Sequence, residues 1–252
     1  MPNLAKRVLI AIIIDISPST RFKGSLGSKT SIEMINLKLA SLIAQLCANP
    51  KIRSCAEVCF VLYSSDVEVR PFVSLKTLEN NVPEFSPVES GGTRTAAAMK
   101  AAYAAIHKRA AEISTRGGGL YTSVSILLTD GDISVHDSDD MIRKVTEEVN
   151  ECTFKESRAE KVLPLVIGLG DNIADKTKAM LAGFSKGMVD NGFFRIHNSS
   201  DKQVNEDMTQ VFNIIFKSIL KSVGTDSVDE LLKEIRSMVQ DAYGETLCHI
   251  SD

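Results

Sequence analysis

Val8-Leu9-Ile10-Ala11-Ile12-Ile13-Ile14-Asp15-Ile16-Ser17-Pro18-Ser19 is the stretch on which the reading of this chain turns. Seven apolar, mostly β-branched residues run without interruption and stop at an acid. Such a run, followed by a polar loop, marks a strand buried on both faces of a parallel sheet. Lys6-Arg7 ahead of it imitates the start of a signal peptide. The run has no small-residue cleavage site, however, and is far too short to span a bilayer. No other stretch reads as approaching membrane length, so the expectation is a cytoplasmic protein with no membrane contact.

Strand and helix signals alternate outward from this segment. Ile32, Ile35, Leu39, Leu42, Ile43 and Leu46 recur at helical spacing until Asn49-Pro50 ends the pattern. Residues 58–63 read as a second strand. Ser64-Ser65-Asp66 turns it into a third, 67–73, which makes an antiparallel edge. After a loop with Pro83 and Pro87, the Ala-rich segment 95–111 reads as helix and is broken by Arg116-Gly117-Gly118-Gly119. Residues 123–128 form another buried strand, which ends in Thr129-Asp130-Gly131-Asp132. Helix over 139–152, strand over 162–169, helix over 174–185 and a short strand at Phe193, Phe194 and Ile196 follow. A last helix, from about 207 to 223, carries Val211, Ile214, Ile215, Ile219 and Leu220.

This alternation predicts an α/β, Rossmann-like, doubly wound sheet. Six strands, mostly parallel with one antiparallel edge strand, are expected, with helices on both faces. Residues 1–224 are expected to form the domain. Residues 225–252 are expected to form a C-terminal amphipathic helix and tail. Ser227 and Glu230 fit a capping box, and Val228, Leu231, Leu232, Ile235, Met238 and Val239 form its apolar stripe. That helix either packs on its own domain or docks a partner or a second copy.

Composition narrows the function. The chain has 252 residues, with 29 Lys+Arg against 32 Asp+Glu for a net charge of −3. Near-balance excludes nucleic-acid binding by general electrostatics, and 44% hydrophobic residues exclude intrinsic disorder. Five cysteines form no CxxC pair, which suggests reduced thiols.

In doubly wound sheets, ligands bind at the carboxyl ends of strands where the strand order reverses. Three polar clusters fall at such places: Asp15-x-Ser17-x-Ser19, Gly91-Gly92-Thr93 before a helix, and Thr129-Asp130-Gly131 after a buried strand. An acid and two hydroxyls at i, i+2 and i+4, with a threonine and a second acid, make an all-oxygen set. Such a set suits a hard cation, Mg²⁺ or Mn²⁺. Two carboxylates balance its charge, and neutral hydroxyls in direct contact leave it electrophilic. Octahedral Mg²⁺ keeps waters, so a position stays open for an outside oxygen, most naturally a partner's carboxylate.

These motifs resemble the metal-ion-dependent adhesion site of von Willebrand factor A domains, which has the form DxSxS…T…D. The resemblance covers residues 8–223. It assigns Asp15, Ser17 and Ser19 to the first loop, Thr93 to the second and Asp130 to the third. It implies metal contact by both serines and sometimes the threonine, with the acids acting through water and hydrogen bonds. Ser90-Gly91-Gly92-Thr93 is similar to the bacterial tellurite-resistance (TerY-like) type. That likeness implies a cytoplasmic stress-response setting and a Ser/Thr kinase or PP2C-type phosphatase as partner. Pro18 departs from the family's frequent glycine, and Thr20-Arg21 stand where a methionine is common. Arg21, Lys23 and Arg94 are read as a basic rim for an acidic ligand, and Asp132 as a loop cap or outer residue of the site.

Other chemistries fit less well. A haloacid-dehalogenase-type enzyme needs DxD, and the second position here is Ser17. Gly24-Ser25-Leu26-Gly27-Ser28-Lys29-Thr30 has a phosphate-loop flavour, but its glycines are three apart instead of five. Zinc hydrolysis wants clustered His or Cys. His107, His136, His197 and His249 are scattered, and Cys55 and Cys59 are expected to begin and line a strand. The reading is therefore a non-catalytic protein-binding module. A scaffold that binds mainly through its C-terminal helix, and a Mg²⁺-dependent phosphate-handling enzyme, are the alternatives.

Overall fold

The computed structural model describes residues 4–22, 26–131, 137–157, 159–188 and 192–224, and in the tail 230, 233–234, 236–237 and 247–249. The first half of the chain forms β1 (Leu4–Asp15), a 3-10 turn (Pro18–Arg21), α1 (Ser31–Ala48), α2 (Pro50–Cys55), β2 (Ala56–Tyr63), β3 (Val67–Val69), β4 (Val73–Ser74) and α3 (Leu75–Leu78). It continues through α4 (Thr95–Thr115), β5 (Gly118–Leu120), β6 (Ser123–Thr129), α5 (Asp139–Phe154) and β7 (Val162–Leu169). Last come α6 (Asp175–Ser185), β8 (Gly192–Ile196), α7 (Asp201–Gly224) and β9 (Leu247–His249).

The sheet order is β3-β2-β1-β6-β7-β8-β9, with β4 on β2 and β5 on β1. The five strands from β2 to β8 are parallel, and β3 closes one edge antiparallel to β2, as the hairpin reading predicts. The order reverses between β1 and β6, so the crevice at their carboxyl ends is the fold's switch point.

Strand alternation sorts β1 into two cores. Ile10, Ile12 and Ile14 pack with α1 and α7, whereas Leu9, Ala11 and Ile13 pack with α4, α5 and α6. Every residue from Val8 to Ile14 is essentially buried. A strand covered on both faces has no use for a polar residue until it ends, which is why its sequence is uniformly apolar.

The described sheet has nine strands where six are expected: the edge strand splits in two, Gly118–Leu120 adds β5 against β1, and Leu247–His249 adds β9. The expected strand 67–73 divides into β3 and β4 around Pro71, which has no N–H to give a ladder. Cys55 ends the unforeseen helix α2 and does not begin a strand; Asn49 caps that helix by accepting from Lys51 and Ile52 N–H. Leu247–His249 pairs antiparallel with β8, so the tail returns to the far edge of the sheet. Arg236 reaches the domain as well, donating two hydrogen bonds to Gly187 O. The expected stripe Val228, Leu231, Leu232, Ile235, Met238 and Val239 lies outside the described residues.

Helix α1 corrects one expectation: it is long and apolar enough to cross a membrane by length and composition. Its apolar side is buried in the core through Ile35, Leu39, Leu42, Ile43 and Leu46. A reciprocal capping box starts it, Glu33 N donating to Thr30 Oγ1 at 3.2 Å and Thr30 N to Glu33 Oε2 at 2.8 Å. Lys38 is buried within the same face. Its ammonium donates to Asn205 O, Asn205 Oδ1 and Thr209 Oγ1 of α7 at 3.2, 2.7 and 2.7 Å. Burial holds its pKa below the usual lysine range. Lys38→Met is expected to cost about 1–3 kcal/mol, because the α7 acceptors lose their donor. Urea unfolding measures this, and an unchanged midpoint contradicts the three-point tie.

Candidate metal centre

Asp15 ends β1 and is 0% exposed. The parallel register sets Ile14 opposite Leu128, so Asp15 sits beside Thr129. Thr129 Oγ1 donates to Asp15 Oδ2 at 2.8 Å, and Ser17 N donates to Asp15 Oδ1 at 2.9 Å. Both carboxylate oxygens are thus held, and the turn after the strand is fixed from its first residue.

Pro18 begins the 3-10 turn that carries Ser19. Its fixed φ suits a first helical position and makes the turn rigid at that point. Thr20 Oγ1 closes the turn by donating to Ser17 O at 2.8 Å. The result brings Ser17 Oγ and Ser19 Oγ to 2.9 Å from each other.

Thr93 arrives on a loop fastened to the end of β2. Gly92 N donates to Ser65 Oγ at 2.5 Å, and Arg94 N to Ser64 O at 3.0 Å. Gly91 has φ +146°, and a Cβ there would meet Ser65 Oγ at 3.0 Å, so a glycine is needed for this approach. Because Tyr63 is the register partner of Asp15, this anchorage brings Thr93 to the same end of the sheet as the first loop. Thr93 and Asp130 are both buried there. The loop after Asp130 turns at Gly131, whose N–H donates to Thr129 Oγ1 at 3.1 Å.

Three residues of this region carry no obvious sequence signal. Thr129 was quoted only as part of a motif, yet its hydroxyl holds both Asp15 and Gly131. Tyr63, the last residue of β2, is fully buried beneath the site. Burial first, then the negative charges of Asp15 and Asp130, push its phenol well above the usual tyrosine range, opposed by the Thr129 and Thr95 hydroxyls. Asp137, the third, accepts from the backbone N–H groups of Ala96 and Ala97 in the first turn of α4.

The rim differs from the sequence reading in detail. Arg21 donates to Pro18 O at 3.2 Å and to Val88 O, and Arg94 Nε stands 3.6 Å from Asp137 Oδ1. Both guanidinium groups are engaged in holding loops. Phe22, next to Arg21, is 62% exposed. Asp132, Lys23, Gly24 and Ser25 lie outside the described residues, as does His136.

Among the described residues no group of three or more His, Cys, Asp or Glu is placed to hold a metal. The candidate set is of another kind, with two carboxylates and three hydroxyls. It fits a hard octahedral ion, because ligands about 2.0–2.1 Å from Mg²⁺ lie roughly 2.9 Å apart along an octahedral edge. Ser17 Oγ and Ser19 Oγ already have that spacing. Ca²⁺, with bonds of about 2.3–2.6 Å, wants a wider one. Thiol chemistry is not on offer: burial pushes Cys59 up to about 12 and Cys152 to about 11. His107 Nε2 rests 3.6 Å from Cys152 Sγ, and His197 Nδ1 lies 2.8 Å from Asp171.

A doubly wound domain with an oxygen-lined loop site at its switch point defines a recognisable class. The sequence profile of the von Willebrand factor type A domain matches residues 10–212, and the chain belongs to that family. No curated protein sequence matches it. Among solved structures it is similar to proximal thread matrix protein 1 from the mussel byssus. Identity is 15% and the TM-score 0.52, over 83% of this chain and 48% of that one. The same mussel protein has been solved with a zinc-occupied MIDAS motif, at 16% identity and TM-score 0.51, over 83% of this chain and 48% of that one. The PilB minor pilin from Streptococcus sanguinis matches at 12% identity and TM-score 0.52, over 85% of this chain and 62% of the pilin. These likenesses are of fold, and the chain spans about half the length of the mussel protein.

Proposed function

We propose that this chain is a non-catalytic protein-interaction module. In this reading Mg²⁺ or Mn²⁺ sits on Ser17 and Ser19, with Thr93 reaching it directly or through water, and accepts an Asp or Glu carboxylate from a protein partner. The observation that carries it is the Ser17 Oγ–Ser19 Oγ pair at 2.9 Å beside a buried Asp15 whose two oxygens already accept hydrogen bonds. Neutral hydroxyls in contact leave the ion's charge available to an incoming anion. Asp15 and Asp130 act through water and hydrogen bonds, orienting the direct ligands. Zinc in the corresponding motif of the mussel neighbour supports a cation here, and the all-oxygen donor set favours Mg²⁺ or Mn²⁺.

The absence of enzymatic activity is part of the proposal. Asp15 is occupied as a hydrogen-bond acceptor, and Cys47, Cys55, Cys59 and Cys152 are buried, so neither the acid nor these thiols offer an activated nucleophile, which supports the non-catalytic reading. The similarity of Ser90-Gly91-Gly92-Thr93 to the TerY-like type supports a role in a cytoplasmic tellurite-resistance-like stress response or phosphorylation signalling. A Ser/Thr kinase or PP2C-type phosphatase is then the proposed partner, with neither nucleic acid nor membrane involved.

Capture on immobilised protein tests this. Partner retention is expected in Mg²⁺, with release by EDTA and none on Ser17→Ala. Retention that survives EDTA overturns the cation reading and moves binding to another surface, such as the tail of residues 225–252.

A further inference from the structure

We infer that Asp137 is a positioning residue that fixes the start of α4 just behind Thr93, so that cation affinity depends on a carboxylate that is not a ligand. The inference rests on the cation-site reading of Ser17, Ser19, Thr93 and Asp130. Helix α4 starts two residues after Thr93, and its N-cap residue, Arg94, makes no side-chain cap. The N–H groups of a first turn need an acceptor from elsewhere.

Asp137 supplies it across 41 residues of sequence, Oδ2 accepting from Ala96 N at 2.7 Å and from Ala97 N at 3.4 Å. Its other oxygen faces Arg94 Nε at 3.6 Å, and the side chain is 2% exposed. A buried acid at this end also meets the positive pole of α4. The carboxylate just before α5 is therefore fastened to the helix that begins just after Thr93. Ser138 next to it caps α5 by accepting from Met141 N at 3.2 Å, which pins the segment from its other side. Moving Asp137 moves the base of the Thr93 loop.

Three variants separate the arms of this clamp. Asp137→Ala removes both, Asp137→Asn keeps an oxygen for Ala96 N without the charge facing Arg94, and Arg94→Gln removes the Arg94 arm alone. Two readouts apply: the Mg²⁺ Kd by calorimetry, and amide hydrogen exchange at Arg94, Ala96 and Ala97. Asp137→Ala is expected to weaken Mg²⁺ binding about 10-fold or more, as loss of a supporting residue usually does. Asp137→Asn should fall between Ala and wild type. Exchange at the Arg94 amide, which donates to Ser64 O, should accelerate together with Ala96. A folded Asp137→Ala with Mg²⁺ affinity within about twofold of wild type overturns the coupling. If wild type binds no Mg²⁺, the cation-site reading fails on its own. Exchange then judges the clamp: acceleration at Ala96 with Arg94 unchanged contradicts it.

Discussion

Ser17→Ala/Ser19→Ala is expected to abolish the rise in melting temperature that Mg²⁺ gives the native chain. A cation that binds only the folded state stabilises by mass action, about 2.7 kcal/mol at 100 times its Kd. For a domain of this size each kcal/mol moves Tm by roughly 2–4 °C, so the native gain is on the order of 5–10 °C. Both serine hydroxyls contact the ion directly in this account, and they hydrogen-bond to each other at 2.9 Å. Removing both therefore costs little basal stability, about 1 kcal/mol for one lost hydrogen bond, while the gain disappears. Thermal unfolding in EDTA and in Mg²⁺ measures both quantities on one sample. A double variant that keeps the full gain contradicts the assignment of these hydroxyls.

Gly131→Ala should be the most destabilising single substitution at the site. Gly131 has φ +69°, where an L side chain costs about 1–2 kcal/mol. A Cβ there would also stand 2.7 Å from Ile173 Cγ1 and 2.8 Å from Cγ2. Ile173 has little room to withdraw, because it also fills the space over Gly168, where a Cβ would meet its Cδ1 at 2.5 Å and the Phe193 ring at 2.7 Å. Overpacking of this kind adds about 1–3 kcal/mol, so the expected total is roughly 2–5 kcal/mol. Urea unfolding of Gly131→Ala, Ile173→Ala and the pair provides the check. The double variant should recover part of the loss, since the two sites share one contact. Strict additivity contradicts the clash.

The buried strands were legible because burial on both faces favours an apolar run, unbroken over residues 8–14 and interrupted only by the small serines Ser123 and Ser125 over 123–128. The candidate ligands were legible for a related reason: Asp15, Ser17, Ser19 and Asp130 stand in the polar turns that end such runs, and Thr93 follows a Gly-Gly pair. What escaped was what depends on distant parts of the chain. Nothing local tells that Ser64 and Ser65 hold the Gly91–Thr93 turn. Nor does any local pattern show that Asp137 caps a helix 41 residues before it. Tyr63 is one more aromatic residue in a strand until the register sets it opposite Asp15. The short helix at Pro50–Cys55 and the strand at Leu247–His249 are too brief for periodicity to speak; the Asn49 cap decides the first and pairing with β8 the second.

The central claim is that Ser17, Ser19, Thr93, Asp15 and Asp130 together hold a divalent cation. Crystals of the full chain soaked in Mn²⁺ test it most directly, through the ion's anomalous scattering. The account predicts one strong peak within bonding distance of both Ser17 Oγ and Ser19 Oγ. A well-ordered site with no peak there, or with manganese bound only elsewhere, contradicts it.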